Sequence, residues 1–353
     1  MAAAFKHNLN KSRRTCFLVN RNCQILGINN VHIRLHLFDA LVVPTLNSGC
    51  AIWGPSILKD KDVSSSHECE LWHRSHLKYL LGVCKSTTNH VVMEELGCYP
   101  ICFLWLKQSL KFWNKIMKKD VDDLVHLALV ESANLSHGWM NDLNCALKNL
   151  GCTSRSCIGR PFDVDLCIEE AKANWSHKYT LSHLSVRNYP SNGFKSFKYA
   201  NWFARTGDGS TLSFIQALHR PDQIRIVSQF RTCSHWLNCE KRRRRGKSTV
   251  PRAERTCQLC EYQKVEDEMH LFECPFYNDI RLKFNRLFSP FLANKVDNHK
   301  LNNDVMVWNL EISDIDMKFM MNGINGCTFW EDLANYLLAC KKKRATKLDT
   351  DNF

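Results

Sequence analysis

The chain has no long apolar run. No segment reaches the roughly 18 consecutive apolar residues that a membrane-spanning helix needs. The N-terminus, MAAAFKHNLNKSRRTC, also lacks the apolar stretch of a secretory signal peptide and carries basic residues there instead: Lys6, Lys11, Arg13 and Arg14. We therefore expect neither secretion nor a membrane partner. The expected compartment is cytoplasmic or nuclear, where the 18 cysteines stay reduced.

Acidic residues are in short supply. The chain has 35 Asp and Glu against 48 Lys and Arg, which gives a formal net charge of +13. Such an excess is typical of proteins that bind nucleic acid, although a membrane surface or a solvated basic face is compatible with it. The hydrophobic content of 44% is ordinary for a globular protein. At 353 residues the chain is long enough to bury a core in each of about two or three domains.

Cysteine and histidine are concentrated in one short window, RTCQLCEYQKVEDEMHLFECPFY, at residues 255–277. Two residues separate Cys257 from Cys260, and three separate His270 from Cys274. Residues four apart share one face of a helix, so the second pair can meet the two thiolates of a C-x-x-C turn at one ion. Three thiolates and one imidazole suit a tetrahedral Zn²⁺ and leave no position for a substrate. The window predicts one structural zinc ion, bound by Cys257, Cys260, His270 and Cys274.

An alternative is a Cys-rich pair of helices with buried thiols and no metal. In a chain with this much cysteine and histidine, a C-x-x-C and an H-x-x-x-C are each expected about once by chance. His235 and Cys239 illustrate this, because they have the second spacing without a C-x-x-C just before them. Both halves in order within one window are much rarer, which favours the zinc site.

Apolar residues recur at three- and four-residue steps through the first 150 residues, which predicts a helical bundle. Pro44 is expected to kink or end the first of its amphipathic helices. Trp105, Phe112 and Trp113 are expected to lie in the core rather than to form a platform for stacked bases. Glycine, proline and charge then divide the mainly α chain into four regions: a helical bundle at 1–150, a helical linker region at 151–250, a zinc-binding segment at 251–285 and a C-terminal helical tail at 286–353.

A basic run lies directly before the zinc segment. Six of the seven residues from 241 to 247 are basic: Lys241, Arg242, Arg243, Arg244, Arg245 and Lys247. The position favours binding of RNA or DNA through phosphates, while a nuclear-import signal or a solvated loop has the same composition. A second basic run, from Lys341 to Arg344, is predicted to form the last turn of a helix, where cations complement the helix dipole.

Several stretches resemble one family. CQLCEYQKVEDEMHLFECPFYNDIR resembles the C-terminal zinc-binding segment of non-LTR (LINE-type) retrotransposon reverse transcriptases, including the arginine that follows it, here Arg281. IRLHLFDALVVPTLNSGCAIWG resembles the helix after the polymerase palm, although Asn47, Ser48 and Ala51 replace the usual tyrosine and glutamate. LKYLLGVCKSTTNHVVMEELGCYPI resembles the thumb and connecting region, and SQFRTCSHWLNCEKRRRR the basic helix before the zinc segment. Together these stretches span most of residues 31–344.

The resemblance implies a thumb-like bundle and a zinc segment without the polymerase palm. That palm needs paired aspartates that hold two Mg²⁺ ions. The only Asp-Asp of this chain, Asp122-Asp123, has no flanking strand pattern and is predicted to begin a helix. We therefore expect a non-catalytic, nucleic-acid-binding remnant of a reverse transcriptase, not an enzyme, with no small-molecule substrate.

Two alternatives stay open. The chain can be an inert relic with no partner. It can also be a Mg²⁺-dependent endonuclease, because Asp304, Asp316 and Lys318 have the Asp, Asp-x-Lys arrangement of restriction-like nucleases. The short stretch after Cys274 leaves little room for a nuclease core. That reading predicts a nicking activity that is lost in Asp316→Ala.

Overall fold

The computed structural model describes residues 2–134, 138–154, 160–185, 214–244, 250–292 and 326–350. Within these ranges the α-helices are joined by turns, short 3-10 segments and one isolated antiparallel bridge between Thr256 and Val265. The mainly α fold expected from the periodicity is confirmed. Among these residues no disulfide joins the cysteines.

The helices of the first half have the following bounds: α1 Ala2–Ile25, α2 Val31–Leu37, α3 Val43–Leu46, α4 Cys50–Leu58, α5 Val63–Ser66, α6 Glu68–Leu81, α7 Asn89–Leu96, α8 Cys102–Ile116, α9 Leu124–Asn134, α10 Trp139–Leu150 and α11 Val164–Ser185. The helices of the second half are α12 Phe214–Ala217, α13 Pro221–Arg231, α14 Asn238–Arg244, α15 Glu268–Glu273, α16 Asn278–Lys283, α17 Asn285–Leu292 and α18 Gly326–Thr350.

The chain forms two compact units. The first contains Met1–Ile28, Ile33–Leu80 and Val92–Asn188, and the second contains Asn29–His32, Leu81–Val91 and Tyr189–Phe353. The four regions expected from the sequence stay a prediction.

The core of the first unit is built around the close contact of α4 with α8. A Cβ atom added at Gly54 would lie 3.3 Å from Ser109 Oγ and 3.4 Å from Trp105 Cβ, so glycine permits the two helices to approach this closely. The Trp105 ring packs edge-on against Trp53, with 5.2 Å between ring centroids. Trp105 and Trp113 are fully buried, which confirms that these rings are core residues.

The helical segment continues through Pro44 instead of ending there. A π-helical turn, Phe38–Val42, separates α2 from α3, and Pro44 lies in the first turn of α3, where its missing N–H is tolerated. No single helix of the described residues is both long and apolar enough to cross a membrane. The pair Val31–Leu46 and Cys50–Leu58 passes that test only together and is bent by 88°.

The core of the second unit is built on α18, which packs against α12, α13, α16 and α17. Tyr336 of α18 is fully buried and stacks on Phe272 with 5.5 Å between ring centroids. Its hydroxyl donates a hydrogen bond to the carbonyl of Leu271 at 3.1 Å. Phe272 and Leu271 belong to α15, so α18 directly supports the helix of the predicted zinc segment.

Candidate metal centre

A short hairpin positions the C-x-x-C turn. The Cys257 N–H donates to the Lys264 carbonyl at 2.9 Å, and the Glu266 N–H donates to the Arg255 carbonyl at 3.0 Å. These bonds flank the bridge between Thr256 and Val265 and close the intervening residues into a turn. Two cysteines at the entrance of such a turn present their sulfur atoms to the same side.

A six-residue helix positions the other two candidate ligands. Asp267 caps the N-terminus of α15, because its side chain accepts a hydrogen bond from the His270 N–H at 3.1 Å. Arg252 holds that carboxylate at 2.7 Å. Cys274 follows the last residue of α15 and donates its N–H to the His270 carbonyl at 2.7 Å. The helix begins at Glu268, directly after its capping residue Asp267.

The four ligand atoms converge within 4.8 Å of one another, as the spacing in the sequence predicts. The sulfur atoms of Cys257 and Cys274 are 3.9 Å apart, and Cys260 Sγ lies 3.4 Å from His270 Nε2. Cys257, His270 and Cys274 are buried, whereas Cys260 is half-buried at the edge of the cluster. The Cys257, Cys260, His270 and Cys274 side chains form a cluster that can hold a metal ion.

The electrostatics of this cluster favour a cation. The pKa of Cys257 is lowered to about 4, chiefly because its sulfur accepts a hydrogen bond from Cys274. The same hydrogen bond, together with burial, raises the pKa of Cys274, and burial raises the pKa of Cys260. One negative charge is thus shared between two buried sulfur atoms. Since the thiolate is the metal ligand, binding of a cation would displace the remaining thiol protons.

A buried arginine holds the chain after the fourth candidate ligand. The Arg281 guanidinium donates through Nη1 to the carbonyl oxygens of Phe272, at 2.9 Å, and of Cys274, at 2.7 Å. The side chain is only 2% exposed. These carbonyls lie at the C-terminal end of α15, where helix carbonyls lack partners within the helix. The sequence pattern includes this arginine but does not reveal this role.

A buried ion pair connects Glu266, at the end of the hairpin, to α18. Arg344 donates to both carboxylate oxygens of Glu266, at 2.6 Å from Nε and 2.9 Å from Nη2. The second oxygen also accepts the backbone N–H of Asn238 at 3.1 Å. The prediction that Lys341 to Arg344 form the last turn of a helix is wrong, since α18 continues to Thr350. Sequence reasoning missed this contact because 78 residues separate its partners.

His235 and Cys239, whose spacing resembles half of a metal site by chance, form a separate cluster with Glu268. His235 Nε2 lies 2.8 Å from Glu268 Oε1, and both side chains are almost completely buried. Burial by itself would lower the pKa of Arg252. The electrostatic effects of Cys239, Glu268 and Asp267 together are larger, so the pKa is raised. A guanidinium therefore already supplies positive charge beside this cluster. This arrangement is that of a histidine–carboxylate hydrogen bond with an arginine counterion.

The basic run begins on a helix that contacts the hairpin. α14 contains Lys241, which is half-buried, and continues through Arg244, whereas Arg245 and Lys247 fall outside the described residues. The Arg255 guanidinium donates to the Cys239 carbonyl at 2.6 Å. The Asn238 side chain donates to the Thr256 carbonyl at 3.0 Å. The first turn of the basic helix is thus bonded to the residues just before the C-x-x-C turn.

The other candidate catalytic carboxylates are not part of this centre. Asp123 Oδ1 accepts the Val125 N–H at 2.8 Å, and its other oxygen pairs with Lys119 at 2.7 Å. Asp122 and Asp123 therefore lie directly before α9, whose first turn Asp123 caps, so the prediction that they mark the start of a helix is confirmed. The endonuclease candidates Asp304, Asp316 and Lys318 lie in the range 293–325, outside the part of the chain that the structure describes.

Comparison of the chain with protein-family models, with curated proteins and with solved structures finds no match.

Proposed function

We propose that this chain is a non-catalytic nucleic-acid-binding protein in which a structural zinc ion stabilises the base of a basic helix. We further propose that it derives from the C-terminal thumb and zinc-binding region of a non-LTR retrotransposon reverse transcriptase, on the motifs quoted above. The observation that carries the proposal is the direct bonding of α14 to the hairpin of the metal-ligand cluster.

The distances in the cluster suit zinc. Zn–S bonds of about 2.3 Å and Zn–N bonds of about 2.05 Å in a tetrahedron place two sulfur atoms about 3.8 Å apart and a sulfur and a nitrogen about 3.6 Å apart. The corresponding separations here are 3.9 Å for Cys257 and Cys274 and 3.4 Å for Cys260 and His270. Thiolates and imidazole favour zinc over the hard cations Mg²⁺ and Ca²⁺. With four protein ligands the ion would be structural.

The hydrogen bonds between the hairpin and α14 link metal binding to the basic run. The Cys239 N–H donates to the Glu266 carbonyl at 3.2 Å, and the Asn238 N–H donates to the Glu266 carboxylate at 3.1 Å. An ion that joins Cys257 to His270 would hold the residues between them in place, and so stabilise both acceptors on Glu266. The basic residues that follow are a site for phosphates, which attract Lys and Arg without regard to base sequence.

Salt dependence of binding tests this proposal. Affinity for a labelled oligonucleotide is measured by fluorescence anisotropy over a range of salt concentrations. Changing Arg242 to Arg245 together to glutamine should reduce the slope of log K against log salt by about 3, because each lost phosphate contact removes about 0.7–0.9. The matched control removes four exposed lysines of the first unit: Lys111, Lys115, Lys118 and Lys148. Equal slopes for the two quadruple variants would contradict the proposed role of the basic run.

A further inference from the structure

A cavity of about 440 Å³ lies between α1 and α6 within the first unit. Residues three and four apart on a helix share a face, so each helix presents one row of side chains to the cavity. The side chains that matter here are Arg13, Phe17 and Arg21 of α1, and Trp72, His76 and Tyr79 of α6. The volume lies within the range of small-molecule sites. None of these residues belongs to the metal-ligand cluster or to the basic run.

A buried histidine lines this cavity. His76 is 7% exposed, and its Nδ1 lies 3.5 Å from Cys16 Sγ. Within the described residues, His76 Nε2 has no hydrogen-bond partner. Burial lowers the pKa of His76 to about 4, so the ring is neutral at pH 7. His76 therefore lines the cavity as a neutral, buried ring beside the more exposed rings of Phe17 and Tyr79.

The rim combines exposed aromatic rings with cations. Phe17 is 66% exposed and Tyr79 is 49% exposed. The guanidinium carbon of Arg34 lies 5.3 Å from the centre of the Tyr79 ring, and Arg34 also donates to Asn20 at 2.8 Å. Arg21, which is exposed, lies one helical turn beyond Phe17 on α1. Aromatic rings for stacking, with arginines for phosphates beside them, are the two components of sites for single-stranded nucleic acid.

We propose that the α1–α6 groove binds a short stretch of single-stranded nucleic acid, with a base stacked on Phe17 or Tyr79 and a phosphate on Arg21. A duplex would use only the cations and leave both rings in water, and an apolar peptide would leave the arginines unused. The inference rests on the proposed nucleic-acid binding and adds a second site, specific for single strands, in the first unit.

Anisotropy measurements with two probes test this site. The probes are a labelled oligouridine strand and a labelled duplex of equal length, at one fixed salt concentration. Phe17→Ala should weaken binding of the single strand by about 5- to 100-fold, since stacking on one aromatic ring has that effect. Phe17→Tyr keeps an aromatic ring and should bind the single strand as the wild type does. Duplex binding should change little in both variants. Because Phe17 is mostly exposed, neither substitution removes a core contact.

Matched controls come from the same helix. Leu18 is 53% exposed and lies outside the cavity lining, so Leu18→Ala should leave binding unchanged. Arg21→Gln should weaken binding of the single strand by about 3- to 10-fold. Its matched control is Arg14→Gln, which should leave binding unchanged.

The outcomes separate this inference from the proposed function. If Phe17→Ala and Tyr79→Ala leave oligouridine binding intact while the Arg242 to Arg245 variant weakens it, the groove inference is overturned and the proposed function stands. If only the groove variants weaken binding of the single strand, the result supports the groove as a binding site and contradicts the proposed role of the basic run. Absence of binding to both probes overturns both.

Discussion

Replacing Arg344 with methionine should lower the free energy of unfolding by about 3–5 kcal/mol, the usual cost of breaking a buried ion pair from one side. The Arg344 and Glu266 side chains are 5% and 2% exposed, and the guanidinium contacts both carboxylate oxygens at 2.6 and 2.9 Å. Methionine fills similar volume but leaves the Glu266 carboxylate buried with the Asn238 N–H as a neutral partner. The loss therefore comes mainly from an uncompensated charge and less from packing.

Urea unfolding followed by tryptophan fluorescence measures this loss. Lys342→Met, two positions earlier and exposed on the same helix, is the matched control and should change stability by less than about 0.5 kcal/mol. The double variant Glu266→Gln with Arg344→Met removes both charges, so its cost should be about 2 kcal/mol or more below the sum of the single costs. A loss below about 1 kcal/mol for Arg344→Met, or additive costs, would refute the reasoning.

Two further predictions concern the cluster and the first unit. Purified protein should contain about one zinc per chain by elemental analysis. Cys257→Ser should abolish this zinc, whereas Cys239→Ser should retain it, because Cys239 lies in the neighbouring histidine–carboxylate cluster; loss of zinc in both or in neither would contradict the assignment. Glu70 is fully buried, and burial raises its pKa from 4.5 to about 7. A raised pKa in the folded state favours the protonated form, so this contribution to stability is fully present below pH 4.5 and is lost as the pH rises through about 7. Over that window the free energy of unfolding of the wild type should fall by about 3 kcal/mol relative to that of Glu70→Gln, and unfolding titrations with the same slope in both proteins would exclude this carboxyl group as the cause.

Local sequence spacing was sufficient to predict the metal-ligand cluster. The four candidate ligands lie within 18 residues, and the i, i+4 relation of His270 to Cys274 follows from helix geometry alone. The helices of the first unit were predicted for the same reason, because apolar periodicity is a local property.

Contacts between distant residues could not be predicted in this way. Nothing in the spacing distinguishes Glu266 from its acidic neighbours, or indicates that an arginine 78 residues later is its partner. The α1–α6 groove could not be predicted for the same reason. Phe17 and Tyr79 are far apart in the chain, and they line one groove only because the two helices pack side by side. The pair of His235 and Cys239 was read as chance spacing, and only packing brings Glu268 within 2.8 Å of the imidazole.

The four consecutive basic residues of α18 show where spacing stops being informative. In the sequence, Lys341, Lys342, Lys343 and Arg344 are equivalent cations, and their position predicts only that they form the last turn of a helix. In the fold, Lys341 and Lys342 are exposed, Lys343 contacts Asp279 at 2.5 Å, and Arg344 is buried against Glu266. The physical reason is that successive residues point about 100° apart around a helix. Which of the four is buried depends on the face that α18 packs against its neighbours, and this packing is set by contacts far apart in the chain.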